Sequence, residues 1–366
     1  MIRRLEAQRF RNLEPLGVEL EAGTTLLVGP TGAGKTSLLE AIYVATTTRS
    51  FRTGKLEDCV QGSAPGRESG SDIPGFWTRV EVEGARRSRL EVAWSSTAGL
   101  ERTVDGERAP ISDHLERQSV LAFSWEDAAT WVGEPERRRR FVDRGLVAER
   151  TATLDRLSRY RRVLAHKRSL LAAPRVRATD LEPWNQLFAE AAAAVQRLRG
   201  DYVARLEAAL ADSIRIAGLE LSGVTLSYRP SPALDTGDEQ GLLARLARST
   251  TREIEARQPL AGPHRDTIEL ELRAQPIGRV ASSGERKALS LLCLAAQASL
   301  LETAGRSAAL LIDDADVELD RPTLHRVWRT FRQAPQVLLS SNRPEVWVEL
   351  VEGRRLGLSE GRVVET

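Results

Sequence analysis

Over the first 135 residues the apolar positions fall in short runs with turns between them. Thr24-Thr25-Leu26-Leu27-Val28 is a run of the length and make-up of a buried strand. Just beyond it, Leu38, Leu39, Ile42 and Tyr43 recur at helical spacing. Thr78-Arg79-Val80-Glu81-Val82 and Arg89-Leu90-Glu91-Val92-Ala93 alternate with period two, and Asp105-Gly106 is a hairpin signal, so an antiparallel patch is expected. The Gly-, Ser- and Pro-rich stretch 61–75 reads as a loop. From Pro135 the period changes. Leu154, Leu157, Leu164 and Leu171 keep spacings of three and seven, and a break follows at 172–180. Thr179-Asp180-Leu181-Glu182 fits a capping box with Pro183 in the first turn of the next helix. That helix carries Trp184, Leu187, Phe188, Ala191, Val195, Leu198, Tyr202, Leu206, Leu210 and Ile214. Two long helices joined by a short turn predict an antiparallel hairpin whose apolar stripes form the packing seam. The last third returns to α/β: an apolar helix over 289–301, a strand at Ala308-Ala309-Leu310-Leu311-Ile312, and another at Val337-Leu338-Leu339-Ser340. The pattern predicts one α/β sheet split in sequence by a helical insertion, with 1–135 and 258–366 as its two parts and 136–257 inserted.

The turn after the first buried run carries the clearest chemistry. Gly29-Pro30-Thr31-Gly32-Ala33-Gly34-Lys35-Thr36 fits the phosphate-binding P-loop without mismatch, between a strand and a helix as that motif requires. Glycines let backbone N–H groups curl around phosphates, and the helix N-terminus adds positive potential. Lys35 is placed to reach the β and γ phosphates of ATP, and Thr36 to ligate Mg²⁺.

Composition sets outer limits. With 366 residues, 41% hydrophobic and 28% charged, the chain is expected to be globular, as two domains or one large domain with an insertion. No apolar run approaches the roughly 18 residues of a membrane span, so no membrane partner is expected. Met1-Ile2-Arg3-Arg4-Leu5-Glu6 lacks the apolar core of a signal peptide, and two cysteines cannot build a disulfide framework, which points to a reducing cytoplasm. The net charge of +2 hides an uneven distribution: residues 137–177 hold fourteen basic and three acidic side chains, a local excess of +11. Such a block suits a polyanion as well as a solvated helix face. Arg137, Arg138, Arg139, Arg140, Arg159, Arg161 and Arg162 are its candidate polyanion contacts.

A P-loop needs an acidic partner at a strand end. Ala308–Ile312 runs into Asp313-Asp314, which fits the Walker B position: Asp313 for the metal, Asp314 to orient or deprotonate the attacking water. Val317-Glu318-Leu319-Asp320 resembles the D-loop of ABC-type ATPases. Ala281-Ser282-Ser283-Gly284-Glu285-Arg286, ahead of a long helix, resembles their signature, with Ser282 and Gly284 keeping the hydroxyl and the close backbone approach. A plain helix N-cap is the alternative for that segment. The ABC resemblance implies a composite site, in which the signature of one subunit caps the nucleotide on the P-loop of another.

Further motifs extend the likeness almost end to end. Phe10-Arg11-Asn12-Leu13, Thr48-Arg49-Ser50-Phe51-Arg52-Thr53, Phe123-Ser124-Trp125-Glu126-Asp127, the run from Pro135 to Asp143, and Gly262-Pro263-His264-Arg265-Asp266 follow, in order, the motifs of the RecF family of bacterial DNA-repair ATPases, relatives of SMC proteins. The chain departs from that pattern at Thr31, Trp125, Glu285 and Val317. The resemblance implies an α/β fold: an ABC-type P-loop ATPase head with an inserted, mainly helical second domain containing a short antiparallel helical hairpin. It places Arg11 and Asn12 near the nucleotide. It implies slow ATP hydrolysis acting as a switch, an ATP-dependent homodimer, double-stranded DNA or single/double-strand junctions as ligand, and recombination mediators as partners. A DNA sensor of a defence system and a transporter ATPase subunit are the alternative readings. His264 reads as a loop brace rather than a general base, since Asp314 already fills the base position.

Overall fold

The computed structural model describes residues 1–62, 75–84 and 86–364, so the loop expected at 61–75 lies almost wholly outside the described residues. The chain forms two compact units. One comprises Met1–Ala129, Asp212–Glu220 and Ser282–Thr366; the other comprises Thr130–Ala211 and Leu221–Ala281.

The first unit is built on two six-stranded sheets. One is antiparallel, in the order Leu16–Glu19, Ile2–Gln8, Phe76–Glu83, Arg87–Ser95, Gly99–Val104, Glu107–Arg108. The period-two alternation buries Val80, Val82, Leu90 and Val92 on one face, while Arg79 bridges Glu6 and Glu91 across the other. Asp105 and Gly106 both take positive φ (54° and 89°), as a two-residue hairpin turn demands. The second sheet runs Arg362–Val364, Arg354–Ser359, Gly23–Val28, Gln336–Ser341, Ala308–Ile312, Ser119–Phe123, parallel except for its first, C-terminal strand. Strands from both ends of the chain thus share one sheet. The helix Lys35–Thr47 packs against both sheets, and its Leu38, Leu39, Ala41, Ile42, Val44 and Ala45 are wholly buried. A helix apolar on all sides needs cover on all sides, and here each sheet supplies one.

Register then sets the site. Val28 pairs with Ser341, and Ile312 with Leu339, so Gly29, Asn342 and Asp313 all follow the carboxyl ends of parallel strands. Open α/β sheets bind ligands there. The P-loop strand and the Asp313 strand are not adjacent, because Gln336–Ser341 lies between them. Phe10–Leu13 sits just past the strand Ile2–Gln8, in a turn closed by the Leu13 N–H on the Phe10 carbonyl (2.9 Å).

The second unit holds the helices Pro135–Glu149, Thr153–Ala172 and Glu239–Ala256, most of Ala178–Ala217, and a small sheet in the order Gln275–Pro276, Thr267–Leu272, Thr225–Arg229. The hairpin is antiparallel: Arg159 meets Glu190, Tyr160 packs on Phe188, and His166 stacks on Trp184. Leu242 and Leu246 of a third helix close the same seam. Lys167, counted from sequence in the basic block, is instead fully buried against Glu253 at 2.7 Å.

Two boundaries differ from the sequence expectation. The second long helix begins at Ala178, so Thr179–Glu182 lies inside it, and the Asp180 carboxylate accepts from the Arg177 N–H (2.9 Å) one turn earlier. Residues 258–281, read from sequence as head, cluster with the helices. The cause is the Gly262–Asp266 segment: Asp266 is fully buried and accepts from Gln196 Nε2 (3.1 Å), Arg199 Nη1 (3.3 Å) and the Ser231 N–H (2.9 Å). Arg199 also donates twice to Asp143 (2.9 and 3.0 Å). The segment is therefore bonded into the helical unit before Thr267–Leu272 pairs with Thr225–Arg229.

Candidate functional site

The P-loop backbone takes its shape from its glycines. Gly34 sits at φ 107°, which L side chains rarely adopt, and a Cβ at Gly29 would stand 2.2 Å from the Leu358 carbonyl oxygen. Lys35 Nζ donates to the carbonyls of Gly29 (2.7 Å) and Pro30 (3.1 Å) and to Asn342 Oδ1 (2.6 Å). Thr36 Oγ1 lies 2.9 Å from both carboxylate oxygens of Asp313. Ser340 Oγ donates to Asp313 Oδ1 (2.5 Å) and accepts from the Asp314 N–H (3.0 Å).

These groups border an open cleft of about 470 Å³, lined by Arg11, Asn12, Thr31, Gly32, Gly34, Lys35, Thr36, Ser37, Arg52, Asp314 and Asn342 among others. Pro30, Thr31 and Gly32 are exposed at its rim, and Ala33 is buried beneath it. Burial pushes the Asp313 carboxyl up, opposed by the Ser340 and Thr36 hydroxyls; it also pushes Asp314 up, opposed by Lys35. The same burial lowers the Lys35 ammonium, and all three acids, Asp313, Asp314 and Asp316, hold it back. Cation and carboxylates thus stabilise one another in a partly dry cleft.

Arg11 and Asn12 line the cleft, yet their polar groups serve the protein. Arg11 donates to both oxygens of buried Glu40 (2.9 and 2.7 Å) and to the Asp58 carbonyl (2.5 Å). Asn12 donates to the Gly32 carbonyl and accepts from Ser37 Oγ, both at 2.7 Å. They brace the loop from outside. Asn342, Ser340 and Glu40 escaped the sequence reading. The polar triplet Ser340-Ser341-Asn342, ending a buried strand, was the available signal for the first two. Glu40, a wholly buried acid inside an apolar helix, was the signal for the third.

Among the described residues no cluster of three or more His, Cys, Asp or Glu could hold a metal by itself. Thr36 and Asp313 do offer hard oxygen donors side by side, and Mg²⁺ typically takes one or two protein ligands and completes its shell with phosphate oxygens and water. The pair fits Mg-ATP.

Ser282 caps the helix Ser283–Thr303 through a reciprocal capping box with Glu285 (3.2 and 2.8 Å), so this departure from the family pattern has a local purpose. Ser282 is exposed, and neither it nor Gly284 lines the P-loop cleft of its own chain. Asp320 caps the helix Arg321–Trp328.

His264 has both ring nitrogens engaged. Nδ1 lies 2.8 Å from the Tyr160 hydroxyl, which also accepts from the His264 backbone N–H (3.0 Å), and Nε2 lies 3.3 Å from the Pro259 carbonyl. That arrangement suits a neutral imidazole acting as a brace. Burial lowers its pKa to about 4, against 6.5 in an open chain. Between those values the unfolded chain binds a proton that the folded one refuses, so stability falls as pH drops from 6.5 toward 4. The slope is expected to reach at most about 1.4 kcal/mol per pH unit. Melting temperature followed from pH 7.5 to 5 should fall more steeply for wild type than for His264→Gln; parallel curves would assign the acid loss elsewhere.

The basic block is partly spent inside the protein. Arg138 donates to the Trp131 and Gly133 carbonyls, Arg139 to the Asp266 carbonyl, and Arg140 to Glu136. Arg159 pairs with Glu190, and Arg161 lies 3.6 Å from Asp143. Arg137 is exposed. Arg156 and Arg162 are exposed on the helix Thr153–Ala172 with no partner among the described residues.

A family model described as RecF/RecN/SMC N terminal domain matches residues 1–356. The DNA replication and repair protein RecF of Roseiflexus castenholzii is 34% identical over 345 residues, covering 86% of each chain. The RecF of Acidothermus cellulolyticus is 31% identical over 380 residues, covering 98% of each. Among solved structures, the recombination mediator protein RecF with ATP, from the RecFOR pathway, superposes with a TM-score of 0.84 at 22% identity, over 100% of this chain and 99% of that one. An SMC head bound to the C-winged helix domain of ScpA reaches 0.55 at 12% identity, over 99% and 97%. The structural likenesses establish the fold: an ABC-type ATPase head with a helical insertion. No helix among the described residues is long and apolar enough to cross a membrane.

Proposed function

This chain belongs to the RecF family, and on that premise we propose that it is an ATP-dependent DNA-binding protein of recombinational repair and replication. It is a slow ATPase of the ABC/SMC type whose hydrolysis works as a release switch. The observation that carries this reading is the convergence of Lys35, Thr36 and Asp313 at the carboxyl end of one parallel sheet, with the Thr36 hydroxyl on both oxygens of Asp313.

Lys35 moves from loop carbonyls and Asn342 to the β and γ phosphates, exchanging neutral acceptors for charged ones. Backbone N–H groups of Gly32 and Gly34 and the N-terminus of the Lys35–Thr47 helix face the phosphate chain. Thr36 and Asp313 would hold Mg²⁺, which would supply charge neutralisation at the phosphates. Asp314 orients the water and takes up its proton as the bond from γ-phosphorus to the bridging oxygen breaks, releasing ADP and phosphate. Ser282, exposed, and Gly284, half-buried, both outside the cleft of their own chain, cap the nucleotide of a second copy, so ATP closes a homodimer. The closed dimer holds double-stranded DNA or a single/double-strand junction, and recombination mediators are its protein partners.

Arg156 and Arg162, exposed and without acceptors among the described residues, are better placed for DNA than Arg138 and Arg139, which are bonded to backbone. Charge reversal of Arg156 and Arg162 to Glu is expected to weaken ATP-dependent duplex binding about 10-fold or more. The salt slope should drop by roughly 0.9 for each phosphate that is no longer neutralised. ATP affinity without DNA should stay unchanged. Fluorescence anisotropy across a salt series reads both. An unchanged salt slope in that variant would move the DNA interface off this helix.

A further inference from the structure

Asp314 sits at φ 47°, in the left-handed region, immediately after the metal-binding acid. A non-glycine residue persists there when its surroundings over-determine the conformation. Both of its backbone polar groups are held. The N–H donates to Ser340 Oγ (3.0 Å), and the carbonyl accepts from Lys287 Nζ (2.7 Å) and from the Val317 N–H (3.3 Å). Lys287 is 2% exposed, and this carbonyl is the only hydrogen-bond acceptor of its ammonium among the described residues. Acids surround it: Glu318 and Asp316 lie closest in effect, ahead of Asp314 and Asp313. The buried ammonium thus bonds the backbone of the residue read as activating water, not any of the carboxylates around it.

Lys287 lies in the second turn of the helix Ser283–Thr303, whose cap is Ser282. A second contact joins the same two segments. A Cβ on Gly284 would stand 3.3 Å from the Glu318 carbonyl, and Glu318 itself has φ 66°. The signature turn and the acidic loop therefore touch at both ends, through Gly284 and through Lys287.

We propose that Lys287 is a positioning residue for Asp314, fixing its backbone from the signature helix and so aiming the carboxylate of its own chain. The proposal rests on reading Asp314 as the residue that activates water. In a closed dimer each signature faces the other chain's ATP, while each Lys287 acts on its own chain's site.

The test is Lys287→Met in the full chain, alone and combined with Asp314→Asn. Affinity for a fluorescent ATP analogue and the melting temperature serve as folding controls. Turnover is expected to fall by roughly 30- to 100-fold, as for a misplaced catalytic group, with ATP affinity within about threefold. The ATP-bound dimer should accumulate. In the Asp314→Asn background the same change should cost nothing more, because both act on one group. Lys287→Arg keeps charge and bulk and carries the test should the methionine variant not fold; it should lose turnover several-fold at unchanged ATP affinity. Wild-type turnover in either Lys287 variant, or a full additive loss in the double variant, overturns the proposal. Wild-type turnover in Asp314→Asn alone overturns instead the reading it rests on.

Discussion

Replacement of Lys35 by alanine is expected to weaken ATP binding about 100-fold or more and to abolish measurable hydrolysis. The ammonium is held within 2.6–3.1 Å of three acceptors at the mouth of the loop, ready to be passed to phosphate oxygens. Hydrogen bonds to charged groups contribute about 1.5–3 kcal/mol each, and one lysine on two phosphates stands at the upper end of that range. Each 1.4 kcal/mol is about tenfold in affinity. Lys35→Arg should behave differently: it should still bind ATP but turn it over poorly, because a planar fork does not replace a point ammonium in a socket shaped by Gly29 and Pro30. Equilibrium titration with a fluorescent ATP analogue, and phosphate release under saturating ATP, separate the two variants. Wild-type turnover in Lys35→Ala would remove the nucleotide from this cleft altogether.

Asp314→Asn is expected to lower turnover by about 10²- to 10⁴-fold, the usual span for losing a general base, while leaving ATP affinity within about threefold. The amide is nearly isosteric, and the backbone bonds to Ser340 and Lys287 are untouched by the change. Asp313→Asn should differ in kind. It weakens the oxygen pair with Thr36 and removes a negative charge from the metal position, so Mg²⁺ dependence shifts and affinity falls together with turnover. Turnover and ATP affinity measured across a Mg²⁺ series tell the two acids apart. Equal loss of binding in both variants would merge the roles assigned to them.

Much of this site could be read from local order along the chain. The P-loop carries its own strand and helix, and Ala308–Ile312 delivers Asp313 and Asp314 to the end of a buried strand. Periodicity also found the antiparallel patch and the helical hairpin, because one buried face repeats every second or every third to fourth residue. What escaped was set by distant partners. Asn342 is a loop asparagine until the strand register places it beside Lys35, 307 residues away in sequence. Arg11 was expected near the nucleotide and does line the cleft, but nothing near it in sequence announces Glu40 as its buried counterion. The 258–281 segment reads as a return to the head, yet Asp266 ties it to Arg199 and Gln196 on the long helix. The basic block from Arg137 to Arg177 could not be sorted residue by residue from sequence: Lys167 within it is buried against Glu253, and Arg139 is bonded to a backbone carbonyl. Charge counts register composition, whereas exposure and partners depend on packing.

That ATP joins two copies through Ser282 and the P-loop is the central claim, and the mass of the Asp314→Asn protein tests it most directly. Light scattering with Mg-ATP should give twice the mass found without nucleotide, since closure proceeds while hydrolysis is blocked. Adding Ser282→Arg, which puts a bulky cation where the partner's γ-phosphate should dock, should return the mass to that of one chain without loss of ATP binding. An Asp314→Asn protein that binds Mg-ATP yet keeps the mass of a single chain would contradict the composite site.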